Sequence, residues 1–171
     1  MTNWDMLIKP FDTKLETELL TDASRLFWLG FALIQREAHN PKQLRLVTCG
    51  SCSLSPAQKN YSTTELEAQA IVWAVEKCNF YLDGMPEFTI VTDHKPLLGN
   101  FNKDMDMIDN KRLQQFRERL LPYNFKIIWQ QGKEHKIADA LSRYPVFKGH
   151  PSLENDFWST ETTKNSVLIE S

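Results

Sequence analysis

The stretch Phe88-Thr89-Ile90-Val91-Thr92-Asp93 decides how this chain folds, because an apolar, β-branched run ends there in an acid. Such residues are enriched in strands, so a strand is predicted up to Asp93, and Pro96 prevents it from continuing. A second run, Glu18 to Ala23, repeats the pattern as Leu19-Leu20-Thr21-Asp22. An Asp at the tip of an apolar strand is well placed to line a site. If the two strands are neighbours, their carboxylates lie side by side.

A strong helix is predicted between these strands. Ser62-Thr63-Thr64-Glu65 has the form of a capping box, in which the Ser side chain accepts from the third amide and the Glu reaches back. The helical pattern continues to Leu82, and Asp83-Gly84 stops it.

The remaining elements complete an α/β domain. The sequence predicts strands at Trp28–Gln35, Leu44–Cys49 and Phe125–Trp129, and helices at Asn110–Leu121 and Ile137–Arg143. The order is three antiparallel strands followed by alternating helices and strands. We therefore expect a mixed five-stranded sheet with helices packed on it.

The helix supplies a third acid to the predicted site. Positions at helical spacing from Glu67 are all apolar or small: Ile71, Ala74, Val75, Cys78 and Leu82. Glu67 thus heads the stripe that faces the sheet, where an acid is not expected. Glu65 already serves in the capping box, although Thr64 to Glu67 offers a competing cap. The geometry favours Glu67 as the site residue and Glu65 as a structural one.

Clustered carboxylates need a reason to stay ionised together. Two unit charges ~4 Å apart repel by ~4 kcal/mol at an effective dielectric of ~20. Either one acid holds a proton, as in an aspartic dyad, or a divalent cation neutralises the set. The dyad favours an Asp followed by Thr or Ser and Gly, and neither Asp22 nor Asp93 stands in that setting. Oxygen ligands for magnesium are the better interpretation.

Composition narrows the class of protein. The chain has 171 residues, 42% hydrophobic, which fits one globular domain. No uncharged apolar run is long enough to span a bilayer, and the first residues lack the order of a secretory signal, so an intracellular protein without a membrane partner is expected. Three cysteines argue against a disulfide scaffold. The spacing of Cys49 and Cys52 suits redox or zinc sites, but we predict a strand that ends in a loop and two half-buried thiols.

Charge is unevenly distributed along the chain. The net charge is −2, yet residues 111–148 hold 9 Lys/Arg against 3 Asp/Glu. A basic segment beside a carboxylate cluster would suit a polyanion-binding face, although a solvated basic helix explains the charge equally well. The candidate contacts on this segment are Lys111, Arg112, Arg117 and Arg119.

Five motifs, in order, resemble the ribonuclease H domain of gypsy-class LTR retrotransposon polyproteins. They are Thr21-Asp22-Ala23-Ser24, Ser53-Leu54-Ser55-Pro56-Ala57 leading to Asn60-Tyr61-Ser62-Thr63-Thr64-Glu65, Ala70-Ile71-Val72-Trp73-Ala74, Thr92-Asp93-His94-Lys95-Pro96-Leu97 and Ala138-Asp139-Ala140-Leu141-Ser142-Arg143. The resemblance implies a ribonuclease-H-like fold over residues 16–147. It also implies the end of a reverse transcriptase over 1–15 and an acidic linker toward integrase over 148–171.

The resemblance also implies chemistry and partners. Asp139 would join Asp22, Glu67 and Asp93 in holding two Mg²⁺ ions, for which Mn²⁺ could substitute, with Asp22 shared between them. The substrate would be an RNA–DNA hybrid, cut in its RNA strand during reverse transcription, in a cytoplasmic particle beside the polymerase. Candidate substrate contacts are Ser24, Thr64, His94 and Lys95. Related enzymes carry a His upstream of the last Asp, where this chain has Trp129-Gln130-Gln131.

Two other functions stay open at this point. One is an inactive module of the same fold, acting as a spacer or binding domain of a reverse transcriptase. The other is a DNA nuclease or integrase of the same superfamily, although a helix-borne Glu67 between the first two Asp residues favours ribonuclease H.

Overall fold

The computed structural model describes residues 7–8, 10–24, 28–37 and 40–130. Its strands are β1 (Leu7–Ile8), β2 (Glu16–Ala23), β3 (Trp28–Glu37), β4 (Asn40–Ser53), β5 (Phe88–Thr92) and β6 (Phe125–Trp129). Its helices are α1 (Thr63–Lys77), α2 (Asn79–Leu82), α3 (Pro96–Phe101) and α4 (Lys111–Arg119), with 3₁₀ turns at Gln58–Asn60 and Met105–Met107. The predicted α/β class is confirmed. The helix predicted at Ile137–Arg143 lies outside the described residues.

The strands form one mixed sheet in the order β1-β4-β3-β2-β5-β6. The pairs β2–β3 and β3–β4 are antiparallel, as predicted, whereas β2–β5, β5–β6 and β1–β4 are parallel. Within the described part of the chain the sheet has six strands rather than the expected five, because Leu7–Ile8 pairs with β4 at the edge. That short strand lies in the segment assigned to the end of a polymerase, and the boundary at residue 15 stays a prediction.

Strand β2 is central, which explains its sequence. Six of its eight residues are buried, so both of its faces are covered. Successive side chains of a strand point to opposite faces. Leu19 accordingly packs with α1 in the main core, and Leu20 packs with Ala32 and Val91 on the other face. The ends of β2 and of its neighbour β5 are therefore held rigidly from both sides.

Helix α1 begins as the sequence predicts. Ser62 is its N-cap, and both hydrogen bonds of the capping box with Glu65 are present. The apolar stripe below Glu67 is buried, each member exposing 1% or less: Ile71, Ala74, Val75, Cys78 and Leu82. The predicted single helix to Leu82 is wrong in one respect, because the helix ends at Lys77 and α2 follows after Cys78. The stripe continues across that break.

Strand β4 is longer than predicted and includes both cysteines of the Cys49–Cys52 motif. It continues to Ser53, so Cys49 and Cys52 lie within a strand and not in a loop. They pair in register with Ala32 and Leu29, without a bulge between them. Residues three apart in a regular strand point to opposite faces, so these two sulfurs cannot share a zinc ion or form a local disulfide. Cys49 is exposed and Cys52 is half-buried.

Gly50, between these cysteines, permits a close aromatic contact. A Cβ there would lie 2.8 Å from Cε1 of Phe31, its partner across the strands. The Phe31 ring is buried and meets Trp73 of α1 edge-on, with 5.1 Å between the ring centroids. Glycine at this position lets β3 pack against the helix that carries Glu67.

Among the described residues, no helix is both long enough and apolar enough to cross a membrane.

Candidate functional site

The ends of β2 and β5 bring two of the predicted acids to one edge of the sheet. The strands are parallel, with Leu20 opposite Val91. Asp22 and Asp93 each follow that pair by two residues, so both stand at the same level along the strands. The two strands are neighbours, which is the condition under which the sequence places these carboxylates side by side.

Helix α1 adds Glu67 to the same place. The helix packs across β2, and its first turn is fixed by the capping box at Ser62 and Glu65. Glu67 then points at the sheet and exposes only 4% of its surface. One ligand oxygen from each of Asp22, Glu67 and Asp93 lies within 4.8 Å of the others. The structure thus brings together three of the four acids, and Asp139 lies outside the described residues.

The electrostatics of this cluster are unfavourable without a cation. Burial, followed by the charges of Asp22 and Asp93, raises the pKa of Glu67 to about 9, against a smaller opposing effect of a backbone hydrogen bond from Ala23. The second carboxyl oxygen of Glu67, Oε2, is buried and has no hydrogen-bond partner among the described residues. A buried oxygen without a partner normally costs free energy, and three converging carboxyl groups repel one another when all of them are ionised. A hard divalent cation would relieve both costs, so these residues fit magnesium.

The segment after β5 carries two predicted substrate contacts. The Oγ1 atom of Thr64, on α1, lies 2.9 Å from Nε2 of His94. Burial lowers the pKa of His94, and the charge of Asp93 opposes the shift. The Thr64 and His94 side chains therefore form a hydrogen bond. This contact links the first turn of α1, the helix that carries Glu67, to the residue that follows Asp93. Lys95 is exposed.

Ser24 lies beyond Asp22, at the end of β2. Its backbone N–H donates to the carbonyl oxygen of Trp28 at 2.8 Å, which closes the hairpin to β3. Its predicted contact with substrate stays a prediction.

The basic residues of α4 have different surroundings. Arg112 donates to Glu65 at 2.7 Å and lies over the ring of Tyr61, 4.0 Å from its centroid. Arg119 forms an exposed ion pair with Glu76. These two arginines are already engaged within the chain, which reduces their availability for phosphate.

The other two cations of α4 differ from each other. Lys111 is exposed, whereas Arg117 is half-buried, 5.4 Å over the ring of Phe125. A role for the basic helix in binding substrate stays a prediction, with Lys111 its most accessible member.

Trp129 is a residue near the site to which the sequence assigned no role. It pairs with Thr92, and its indole Nε1–H donates to the backbone carbonyl of Asp93 at 2.9 Å. The only signal in the sequence is an aromatic residue at the end of the last described strand. Which carbonyl it meets depends on the register of β6 against β5.

Comparison with known proteins places this arrangement in a family. Residues 12–123 match the sequence profile of the RNase H-like domain found in reverse transcriptase. The chain is 36% identical over 141 residues to the retrovirus-related Pol polyprotein from transposon opus of Drosophila melanogaster. It is 32% identical over 164 residues to the corresponding polyprotein from transposon gypsy of the same organism. These alignments cover 80% and 96% of this chain but only 12% and 14% of the relatives.

Solved structures agree on the fold. RNase H1 from the halophilic archaeon Halobacterium salinarum superposes with a TM-score of 0.54 at 17% identity, over 74% of this chain and 93% of that one. LC11-RNase H1, solved in complex with an RNA/DNA hybrid, superposes with a TM-score of 0.53 at 12% identity. The superposition covers 74% of this chain and 93% of that one. At these identities the likeness concerns the fold alone. The ribonuclease-H-like fold expected from the sequence is confirmed.

Proposed function

The chain belongs to the family of RNase H-like domains found in reverse transcriptases, and on that premise we propose that it hydrolyses the RNA strand of RNA–DNA hybrids. The observation that carries the proposal is the convergence of Asp22, Glu67 and Asp93, whose ligand atoms lie within 4.8 Å of one another. Family membership and fold do not by themselves show that a chain is an enzyme, because catalytic activity depends on the residues of the active site. Three acids in one place, two of them buried, are a costly arrangement that a metal-dependent hydrolase needs.

Asp22, Glu67 and Asp93 would hold Mg²⁺, and Mn²⁺ could substitute. Asp22 and Asp139 would hold a second ion, and Asp139 lies outside the described residues. When bound, magnesium lowers the pKa of an attacking water and neutralises the charge that develops on the leaving oxygen. The buried Oε2 of Glu67 supports this assignment, because a cation would give it the partner that it lacks among the described residues.

The three acids contribute differently. Glu67 carries its proton at neutral pH in the metal-free protein, since its pKa is raised to about 9, so it must release that proton to become a ligand. Asp22 is buried beside it, and Asp93 is the most exposed of the three. Substrate would therefore approach from the side of Asp93. Lys95, two residues further and exposed, is positioned to meet a phosphate there.

Selectivity for RNA in a hybrid would come from contacts to 2′-hydroxyl groups and from the shape of the duplex. Ser24, Thr64 and His94 remain the proposed contacts. The hydrogen bond between Thr64 and His94 makes these two a single unit, whose orientation depends on both.

The chain spans 12 to 14% of the length of the Pol polyproteins from transposons opus, gypsy and 297 that it matches. The activity and partners of those whole proteins are therefore proposals for this chain. We propose that residues 16–147 act beside a reverse transcriptase ending near residue 15, that an acidic linker follows from 148, and that the assembly works in a cytoplasmic particle.

A cleavage assay tests the proposal. The full chain is incubated with a labelled RNA–DNA hybrid, with the same RNA single-stranded, and with duplex DNA, each in Mg²⁺ or EDTA. We expect cleavage of the RNA strand in the hybrid, with Mg²⁺ only. Asp22→Asn should abolish it, whereas Asp106→Asn, which removes the same charge from an exposed site, should leave it unchanged.

Other outcomes of this assay would support one of the alternative functions. Binding of hybrid without cleavage, in both Mg²⁺ and Mn²⁺, would identify an inactive module of this fold. Cleavage of duplex DNA would favour a DNA nuclease. Calorimetric titration with Mg²⁺ supplies the second measurement, and binding that persists in Asp22→Asn would contradict the metal assignment.

A further inference from the structure

Trp129 is the last residue of β6, and its side chain reaches the backbone of Asp93, one of the clustered acids. Trp129 ends β6 opposite Thr92 of β5. Its Nε1–H donates to the Asp93 carbonyl at 2.9 Å, and the next residue, Gln130, donates its backbone N–H to the Thr92 carbonyl at 3.0 Å. The hydrogen bond from the indole thus links β6 to the chain one residue beyond the last regular pair of β5.

That extra residue is the one that carries the carboxylate. Asp93 has left the strand and lies in a bend, where backbone direction is not set by the sheet. Its carbonyl and its side chain share one Cα, so fixing the carbonyl limits where the carboxylate can point. Of the three clustered acids, Asp93 is also the most exposed, and it therefore has the least packing around it.

The position of Trp129 is unusual for a residue that only fills the core. The residue is 42% exposed, so burial of its ring is an incomplete reason for a tryptophan here. The Lys95 ammonium lies 5.5 Å from the ring centroid, so the indole contacts the chain on both sides of His94. His94 itself contacts Thr64 of α1, with 2.9 Å between Nε2 and Oγ1.

We propose that Trp129 is a positioning residue, whose indole N–H holds the Asp93 segment so that the Asp93 carboxylate meets Asp22 and Glu67. The inference rests on the proposed function for its consequence, which is cation affinity. Its structural content, the restraint of residues 93–95, stands independently of that function. Trp129 contacts the backbone of Asp93 and would act through that residue.

Trp129→Phe is the informative variant, because it keeps an aromatic ring at the end of β6 and removes the N–H together with part of the indole. Trp73→Phe is the matched control, since Trp73 packs on Phe31 in the core and has no hydrogen bond to the Asp93 segment. Two measurements on the full chain separate positioning from stability. They are the Kd for Mn²⁺ by calorimetry, and hydrogen–deuterium exchange of the peptide spanning residues 92–97 in EDTA.

For Trp129→Phe we expect cation binding weakened by about threefold to tenfold, which is what one hydrogen bond of ordinary strength contributes. Exchange over residues 92–97 should become faster, with other core peptides unchanged. Trp73→Phe should lower the thermal midpoint and leave both quantities as in the original chain. Asp22→Asn, measured in parallel, shows whether the cation binds at the cluster at all.

Unchanged exchange over residues 92–97 in Trp129→Phe would overturn the positioning role, whether or not the chain binds a cation. Faster exchange with unchanged affinity would overturn its link to the metal site. Equal effects of the Trp73 and Trp129 variants would show a general loss of stability instead. If the chain binds no cation and Trp129→Phe still accelerates exchange, the proposed function fails while the restraint on Asp93 stands.

Discussion

Replacing Glu67 by Gln is expected to stabilise the metal-free protein at neutral pH. Glu67 exposes 4% of its surface, and burial beside Asp22 and Asp93 raises its pKa from 4.5 to about 9. At pH 7 the folded chain therefore holds a proton on Glu67 that the unfolded chain has lost. The amide of Gln resembles the protonated acid in size and in charge, so it removes the titration without leaving a cavity.

The magnitude follows from the two pKa values. Because the folded-state pKa is raised, the stability linked to protonated Glu67 is fully present below pH 4.5 and is lost as the pH rises towards 9. Each pH unit in that window costs about 1.4 kcal/mol, so the cost over the 2.5 units from pH 4.5 to pH 7 is about 3.5 kcal/mol. The free energy of unfolding of Glu67→Gln should exceed that of the original chain by about this amount at pH 7 and match it near pH 4.

Urea unfolding in EDTA at several pH values between 4 and 8 measures this difference. Glu87→Gln is the control, since it removes the same charge from a side chain that is 53% exposed, and its curve should stay parallel to that of the original chain. Parallel curves for Glu67→Gln as well would refute the reasoning, because they would mean that Glu67 titrates alike in the folded and unfolded states. Loss of cleavage in the same variant, with the fold intact, would support its role as a metal ligand.

Three further substitutions have defined outcomes. Glu65→Gln should lower the free energy of unfolding by about 1 to 2 kcal/mol in urea, because Gln loses the ion pair with Arg112. Burial raises the pKa of Glu65, but hydrogen bonds from the Ser62 backbone, Asn110 and Arg112 outweigh it and lower the pKa to about 2, so the charged form is the one that the fold favours; an unchanged free energy would mean that solvent replaces the pair. Gly50→Ala should cost about 1 to 3 kcal/mol, because its Cβ would meet the packed Phe31 ring at 2.8 Å, and a thermal midpoint within 1 °C of the original would show that the ring moves freely. Lys95→Gln should weaken hybrid binding and reduce its salt slope by about one, as fluorescence anisotropy between 50 and 200 mM salt would show, and an unchanged slope would remove Lys95 from the interface.

Local patterns predicted most of the elements because they depend on neighbouring residues. The capping box at Ser62, the buried stripe below Glu67 and the strand before Asp93 all form where the sequence places them. Predictions about element ends were weaker. Strand β4 runs past Cys49 to Ser53, since pairing with β3 outweighs the low strand propensity of Gly50.

Contacts between residues that are distant in the chain cannot be predicted from local sequence patterns. The charge of Arg112 alone predicts a contact with nucleic acid. In the folded chain, however, Arg112 forms an ion pair with Glu65 and lies over the ring of Tyr61. Nothing in the segment around Arg112 indicates which acid will lie opposite. The fourth acid, Asp139, came only from resemblance to a family, and its place in the site stays a prediction.

By itself the sequence determined five of the six described strands, the helix cap and the two strand-end acids, because hydrophobic periodicity and capping act over a few residues. Tertiary structure alone decided that Glu67 meets Asp22 and Asp93 within 4.8 Å, that its pKa rises, and that Trp129 reaches the Asp93 carbonyl. These depend on the parallel register of β2, β5 and β6 and on the packing of α1 across them. Burial and proximity between distant segments exist only after the chain has folded.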